Sequence, residues 1–401
     1  MSGAASTSDP HVKSILRVGW RGAHVRLLAP CSTFSCGAID PGTLLLLGSL
    51  PGDEPRRFFD LGCGYGALGL TLAAKLPGAR GTLVDRDLLA VEYCRRNAGE
   101  LGLKNVEVLG SLGWSRVGPE HGAYDWVLAN LPARAGEAVF ARLLAESAAR
   151  LAPNGAIHCV VIAPFREALE RAAGAQGLQA ERVGETSQHA AYSIRPAPGW
   201  TAGPALAALD LPAYERDRIS LALPGLAQPL ELIRPTDLAD EPHRLAESVP
   251  LLVGALPELL GGGARALSFR AGYGLIPALL LERYPELEVV AVDRDLLGTE
   301  QTRRNCARFA GRLEVVEAPK LAESSVPPAS FDLVVGELLP PLGPQASLEE
   351  LRAARRFLRP GGCALVAGLK KEWREVLDAQ ERARWKLIGA GKVAAVHGAQ
   401  G

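Results

Sequence analysis

Residues 58–70, FFDLGCGYGALGL, carry the spacing best suited to chemistry. An apolar strand ends on Asp60, the chain turns on Gly62, Gly64 and Gly66, and a helix of small and apolar residues follows. A tight glycine turn lets a ligand lie against the backbone, because no Cβ stands in its way. About twenty residues on, Thr82-Leu83-Val84-Asp85 reads as a second strand ending in an acid, which can hold the hydroxyls of a ribose. Cys63 lies inside the turn, where small size accounts for it better than reactivity does. His24, His121, His158 and His189 show no metal-ligand spacing, so no metal is expected.

The elements that would position these residues come from an internal repeat. VDRDLL occurs at 84–89 and again at 292–297, so that Asp85 and Asp293 stand 208 residues apart. The same offset carries Gly64-Tyr65-Gly66 onto Gly272-Tyr273-Gly274, and Arg95-Arg96-Asn97 onto Arg303-Arg304-Asn305. With one residue less, Asp125 maps onto Asp332, and the Leu151–Gly155 turn onto Leu358–Gly362. The period far exceeds the roughly 20–50 residues of repeat arrays, so this is a duplication.

Each copy alternates short apolar strands with helical stretches, the pattern of a parallel sheet covered on both faces. The expected strands are 58–61, 81–84, 106–109, 126–128 and 157–162 in copy one. In copy two they are 266–269, 288–292, 313–316, 333–335 and 364–367. Alternating segments at 15–28 and 219–233 read as hairpins in front of each copy. The Pro- and Gly-rich stretch 195–204 suits a linker, which gives domains at 1–198 and 205–401.

Composition sets the setting. Of 401 residues, 48% are hydrophobic and 22% charged, as in an ordinary globular protein, and the length allows two or three cores. The formal net charge of +0 argues against a chain that coats nucleic acid, although a local basic patch fits within a neutral total. Seven scattered cysteines without a CxxC pair point to reduced thiols and a cytoplasmic setting. No apolar signal region follows the N-terminus and no run of about eighteen apolar residues occurs, so no membrane association is expected.

On these motifs the chain resembles the class I S-adenosylmethionine-dependent methyltransferases. DLGCGYG is similar to the first motif of that family, and Asp85 stands where the ribose is held. Asn130-Leu131-Pro132-Ala133 falls where many members carry Asn-Pro-Pro-Tyr or a variant. The element from Phe34-Ser35 to Ile39-Asp40-Pro41-Gly42-Thr43 resembles the start of the small-domain branch. That branch includes tandem-duplicated ribosomal RNA guanine-N2 methyltransferases, in which the degenerate copy comes first; here it comes second. The resemblance implies an α/β chain of two tandem Rossmann-like domains, each a mostly parallel seven-stranded sheet flanked by helices behind a short hairpin.

The resemblance also implies roles. S-adenosylmethionine would lie on Asp60, Gly62, Cys63, Gly64 and Gly66, with Asp85 and Arg86 at its ribose and Ser111 and Leu112 near its adenine. Asn130 would border the cofactor, and with the Leu131 carbonyl it would accept hydrogen bonds from a planar amine, Pro132 stiffening the turn. Ala133 cannot stack on a planar group, which leaves Phe34 and Trp114 as stacking candidates. In copy two, Asp60 becomes Ser268, Gly62 becomes Arg270 and Asn130 becomes Glu337. Arg270 would crowd the pocket and repel a sulfonium, so copy two reads as a pseudo-methyltransferase. Three readings stay open: N-methylation of a guanine in ribosomal or transfer RNA, methylation of a protein side chain or small molecule, and a cofactor-binding scaffold without turnover. Oligomeric state is left open.

Overall fold

The computed structural model describes residues 9–132, 135–201, 211–238, 249–258, 260–338, 340–368, 373, 375–377, 384–388 and 393–397. The chain forms two compact units. One runs from Val12 to Glu215; the other takes the chain from Arg216 onward together with the N-terminal residues up to His11.

The first unit opens with an antiparallel hairpin, β1 (Val12–Trp20) and β2 (Ala23–Pro30), joined at Arg21-Gly22. Both turn residues have positive φ (46° and 84°), the requirement of a two-residue turn whose twist matches the strands. Val18, Trp20, Val25 and Leu27 form its buried face. Helix α1 (Pro41–Ser49) follows, started by Asp40, whose carboxylate accepts from the Thr43 N–H, and by a proline in its first turn.

Seven strands then build one sheet: β3 (Arg57–Leu61), β4 (Arg80–Asp85), β5 (Val106–Gly110), β6 (Tyr124–Asn130), β7 (Leu151–Ile162), β8 (Leu178–Glu185) and β9 (His189–Pro196). Their order is β5-β4-β3-β6-β7-β9-β8, the first five parallel and the last two antiparallel. Helices α2 (Gly69–Lys75), α3 (Leu88–Glu100), α4 (Glu137–Ala148) and α5 (Arg166–Ala175) make the crossovers. The chain runs outward through β3, β4 and β5 and then returns to β6 beside β3. That reversal opens a crevice at the carboxyl ends of β3 and β6, where ligands bind in open α/β sheets.

The second unit repeats the plan. It has a hairpin, β10 (Glu215–Leu221) and β11 (Leu230–Pro235), then α6 (Val249–Ala255) and the strands β12 (Arg265–Phe269), β13 (Glu288–Asp293), β14 (Leu313–Glu317), β15 (Phe331–Glu337), β16 (Leu358–Ala367), β17 (Lys386–Ile388) and β18 (Val393–His397). Helices α7 (Leu275–Arg283), α8 (Leu296–Asn305) and α9 (Pro344–Arg356) lie between them. The order β14-β13-β12-β15-β16-β18-β17 matches the first sheet position for position.

Two local readings change. The supposed turns at 151–155 and 358–362 lie inside β7 and β16, where they form irregularities in register that carry Asn154 at φ 68° and Gly361 at φ 79°. A bulge absorbs turn-forming residues without ending a strand. The expected linker also begins as structure: Arg195 and Pro196 close β9, and the Trp200 indole donates to the Gln176 carbonyl at 2.8 Å. Residues 202–210 lie outside the described residues. The seven cysteines are free thiols. Among the described residues no helix is long and apolar enough to cross a membrane.

Candidate functional site

The glycine turn leaves β3 at Leu61 and is held from below. The Gly62 and Cys63 N–H groups both donate to the Val84 carbonyl at 2.9 Å, and Gly64 N–H donates to Asp85 Oδ2 at 2.8 Å. Gly62, Gly64 and Gly66 have φ of 80°, 56° and 100°, a region that side chains rarely tolerate. A Cβ added at Gly62 or Gly64 would meet nothing within 4 Å, so the upper face of the turn is open to a ligand. At Gly66 the same atom would strike Leu70, so that glycine serves packing. Cys63 is buried, and burial together with neighbouring Cys94 pushes its thiol pKa well up, so the side chain stays a protonated thiol.

Asp60 lies beneath the turn, 1% exposed, with Oδ2 accepting from the Gly69 N–H at 2.8 Å. Burial pushes its carboxyl up to about 7, against the Gly69 N–H and helped by the nearby Asp85 charge. Asp85 is half-buried, and each of its oxygens accepts one backbone N–H, from Gly64 and from Asp87. Burial raises it to about 6, while those N–H groups and Arg86 pull the other way. A carboxylate has about four acceptor positions, so Asp85 can position the loop and still receive ribose hydroxyls. A buried and a half-buried acid beside an open backbone cradle suit a cationic, ribose-bearing cofactor.

Asn130 ends β6, next to the turn: Leu61 pairs with Ala129 in the sheet register. Its Nδ2 donates to Asp40 Oδ2 at 2.8 Å and to Thr43 Oγ1 at 3.2 Å. The same Asp40 oxygen receives the Thr43 N–H at 3.0 Å. A carboxylate only accepts, so the amide nitrogen must face Asp40, and Oδ1 is turned the other way. Among the described residues Oδ1 carries no hydrogen bond. Gly42 makes room for this contact, since a Cβ there would lie 2.7 Å from Asp40 Oδ2 and 2.9 Å from the His189 ring. The Leu131 N–H is fixed to the Val160 carbonyl at 3.0 Å, and Pro132 is exposed. Ala133 lies outside the described residues.

Other expected residues fall differently. Ser111 borders Asp85 through its N–H, but its hydroxyl donates to the Gly113 carbonyl and accepts from the Arg116 N–H, so it shapes a turn. Leu112 is buried beside it. Trp114 cannot stack on a substrate: it is 2% exposed and stacks on Phe59 at 3.7 Å in the core. Phe34 stands 70% exposed in the loop before α1. That loop is latched to the turn, because the Tyr65 hydroxyl donates to the Ser35 carbonyl at 3.1 Å. Among the described residues no group of acids, histidines and cysteines has the arrangement of a metal site.

Two positioning residues escape a reading of motifs alone. Buried Asn97 accepts from the Leu28 N–H and donates to the Leu28 and Tyr65 carbonyls, tying β2 to the glycine turn. Asn305 repeats this on Ile233 and Tyr273; the Arg-Arg-Asn match in both copies was the available signal. Gly69 is the other, because its N–H is the partner of Asp60 and its missing Cβ clears both Asp60 and Leu83.

The second unit keeps part of this turn, with Asp293 accepting from the Gly272 and Asp295 N–H groups, and changes the rest. Its counterpart of Gly62 is Arg270, held at φ 53°, and its guanidinium makes a bidentate pair with Glu350 on α9 at 2.7 and 3.0 Å. Both side chains are nearly buried. The residue 207 positions earlier, on α4, is Leu143, so the first unit has no counterpart of this ion pair. Ser268 and Pro277 replace Asp60 and Gly69 together. Proline has no N–H, so the donor and the acceptor of that contact disappear as a pair.

The "Methyltransferase small domain" family profile matches residues 24–182 and 243–382, most of both units. A ribosomal RNA small subunit methyltransferase C of Hahella chejuensis is 36% identical over 131 residues, 32% of this chain and 37% of that protein. The Bacillus subtilis protein YbxB, uncharacterized, is 33% identical over 131 residues, 32% of this chain and 64% of its own. The chain therefore spans less than two thirds of the length of either relative. Among solved structures, the T. thermophilus 16S rRNA N2 methyltransferase RsmC, in complex with AdoMet and guanosine, aligns with a TM-score of 0.66 at 20% identity. That alignment covers 97% of this chain and 99% of the other, a likeness of fold.

Proposed function

From the premise that this chain belongs to the methyltransferase small-domain family and is an S-adenosylmethionine-dependent methyltransferase, we propose that its first unit methylates the exocyclic amine of a guanine in ribosomal RNA. The observation that carries this reading is the pinned amide of Asn130. With Nδ2 held by Asp40 and Thr43, Oδ1 presents a fixed acceptor beside the glycine turn. A fixed acceptor selects a nucleophile that carries N–H, and a guanine amine carries two. The Leu131 carbonyl would take the second N–H. Ribosomal RNA is favoured over other amines by the names of the relatives and by the guanosine in the structure of similar fold.

Bound S-adenosylmethionine supplies a methyl group on a sulfonium, and transfer is an in-line displacement. Gly62 and Gly64 would admit it against the backbone, Asp60 and Asp85 would balance its positive charges, and Asp85 would hold its ribose. Asn130 and Leu131 would draw on the two N–H bonds of the amine and aim its lone pair. Since positioning carries much of the rate in such a reaction, rigid hydrogen bonds behind Asn130 matter more than acid–base strength.

In the second unit Arg270 stands at the place of Gly62 and is paired with Glu350, which supports the reading that this unit binds no S-adenosylmethionine. The decisive experiment incubates the protein with labelled S-adenosylmethionine, ribosomal RNA and a cell extract, then analyses nucleosides by mass spectrometry. The reading expects N2-methylguanosine in the RNA fraction, abolished by Asn130→Ala. Label confined to protein or small molecules would refute the RNA assignment and leave the methyltransferase assignment standing.

A further inference from the structure

We propose that the outward face of the β1–β2 hairpin is a docking strip for the phosphate backbone of the RNA substrate. The proposal rests on the RNA reading above and names where that substrate is held.

Register pairing puts Ile15, Arg17 and Gly19 of β1 on one face with Leu28, Arg26 and His24 of β2; the Ile15–Leu28 end of that face is covered, Leu28 being buried, and Lys13 falls at the register shift between Val12 and Ser14. The opposite face, with Val18, Trp20, Val25 and Leu27, is buried. Lys13, Arg17, His24 and Arg26 are exposed. From Val12 to Ile39 the chain has Lys13, Arg17, Arg21 and Arg26 and no acid at all. Arg17 and Arg26 are direct cross-strand partners, and like charges so placed repel one another. Among the described residues neither they nor Lys13 has an ion-pair partner. A protein of formal net charge +0 has thus gathered cations on one strip without neutralising them locally. Such a strip is the footprint of a polyanion rather than of a fold requirement.

The duplication provides the internal control. The hairpin of the second unit occupies the same place in its fold, yet Arg216, Arg218 and Arg234 there are matched by Glu215, Asp217 and Glu231. Arg234 also pairs with Asp217, its Nε at 2.7 Å from Oδ1. The second hairpin therefore pairs its cations with nearby acids, and the unpaired excess of charge belongs to the unit with the intact glycine turn.

The strip also leads to that site. Strand β2 runs into the loop that bears exposed Phe34, is latched by Ser35 to Tyr65, and ends at Asp40, the partner of Asn130. Phosphates on the strip would steer the strand toward the amide, and exposed Phe34 in the following loop offers a stacking platform for an unpaired base.

The test is an Arg17→Gln/Arg26→Gln double variant, assayed for methylation of ribosomal RNA across a salt series. Its S-adenosylmethionine affinity and melting temperature serve as controls on folding. Removing two phosphate contacts should raise the KM for RNA about tenfold near physiological salt and flatten the slope of log affinity against log salt by about 1.4 to 1.8. The kcat at saturating RNA should stay within about twofold, because these residues lie away from the amide. An Arg216→Gln/Arg218→Gln variant of the second hairpin, which removes the same charge elsewhere, should leave both unchanged. If the first double variant keeps the wild-type KM and salt slope while wild type methylates RNA, the docking strip is refuted and the RNA reading survives. If wild type neither binds nor methylates RNA, the RNA reading falls and the strip with it.

Discussion

Replacing Asp40 by serine separates aim from fold. Asp40 Oδ2 serves two partners, the Thr43 N–H at 3.0 Å and Asn130 Nδ2 at 2.8 Å. Serine caps a helix about as well as aspartate, so α1 should keep its start and the melting temperature should move little. Its shorter side chain cannot also reach Asn130. The hydrogen bond from Asn130 to Asp40 has a charged acceptor, which makes it worth about 1.5–3 kcal/mol. If that hold keeps Oδ1 aimed at the amine, kcat falls by about 10- to 150-fold, at tenfold per 1.4 kcal/mol. The surviving hydrogen bond to Thr43 Oγ1 at 3.2 Å points to the lower part of that range. Asp40→Asn keeps an acceptor oxygen without its charge and should fall between serine and wild type. Single-turnover methyl transfer is the assay, with calorimetric affinity for S-adenosylmethionine expected to stay within about twofold. Because Asp40 acts through Asn130, the Asp40→Ser/Asn130→Ala double variant should be no slower than Asn130→Ala alone. A wild-type kcat in Asp40→Ser, or a decrease that follows cofactor affinity or melting temperature, would refute the reasoning.

Three further outcomes follow from the same network of side chains. Arg270→Gly relieves a strained φ but strands buried Glu350, so it should destabilise the protein by about 3–5 kcal/mol, while Arg270→Gly/Glu350→Leu should recover most of that stability in denaturant titration. Asn97→Ala leaves the Leu28 N–H and two carbonyls without partners and should cost about 3–5 kcal/mol, weakening S-adenosylmethionine binding as the glycine turn loosens. Asp60 and Asp85, raised by burial to about 7 and about 6, hold protons in the folded protein that the unfolded chain has already released. Their contribution to stability therefore declines as pH rises from about 4 to 7. A cationic cofactor favours the ionised carboxylates, so its affinity should climb over pH 5.5 to 7.5, and Asp60→Asn should flatten both trends in melting and titration experiments.

Much of the fold was legible because its signals are local. Glycines at 62, 64 and 66 mark a backbone that needs positive φ, strand ends at Asp60 and Asp85 follow apolar runs, and two copies in register repeat the message. Arg270 at the place of Gly62 was likewise legible, but its pairing with Glu350 on α9 was not, because the two lie eighty residues apart. Trp114 misled because burial is a property of neighbours. A tryptophan just after a strand can face a ligand or the core, and Phe59 and Ser147, far away in the chain, decide for the core.

What the sequence determined alone was therefore the duplication, the alternation of strands and helices, and the glycine turn with its acids. These depend on steric limits and periodicities that act within a few residues. Only the tertiary structure decided which way the Asn130 amide faces, because Asp40 and Thr43 lie about ninety residues away in the chain. The same holds for Asn97, which joins a hairpin strand to the turn from a third element. Hydrogen bonds between distant segments exist only once the sheet order has brought β3 beside β6 and the hairpin against α3. That order follows from packing of the whole unit rather than from any one stretch of chain.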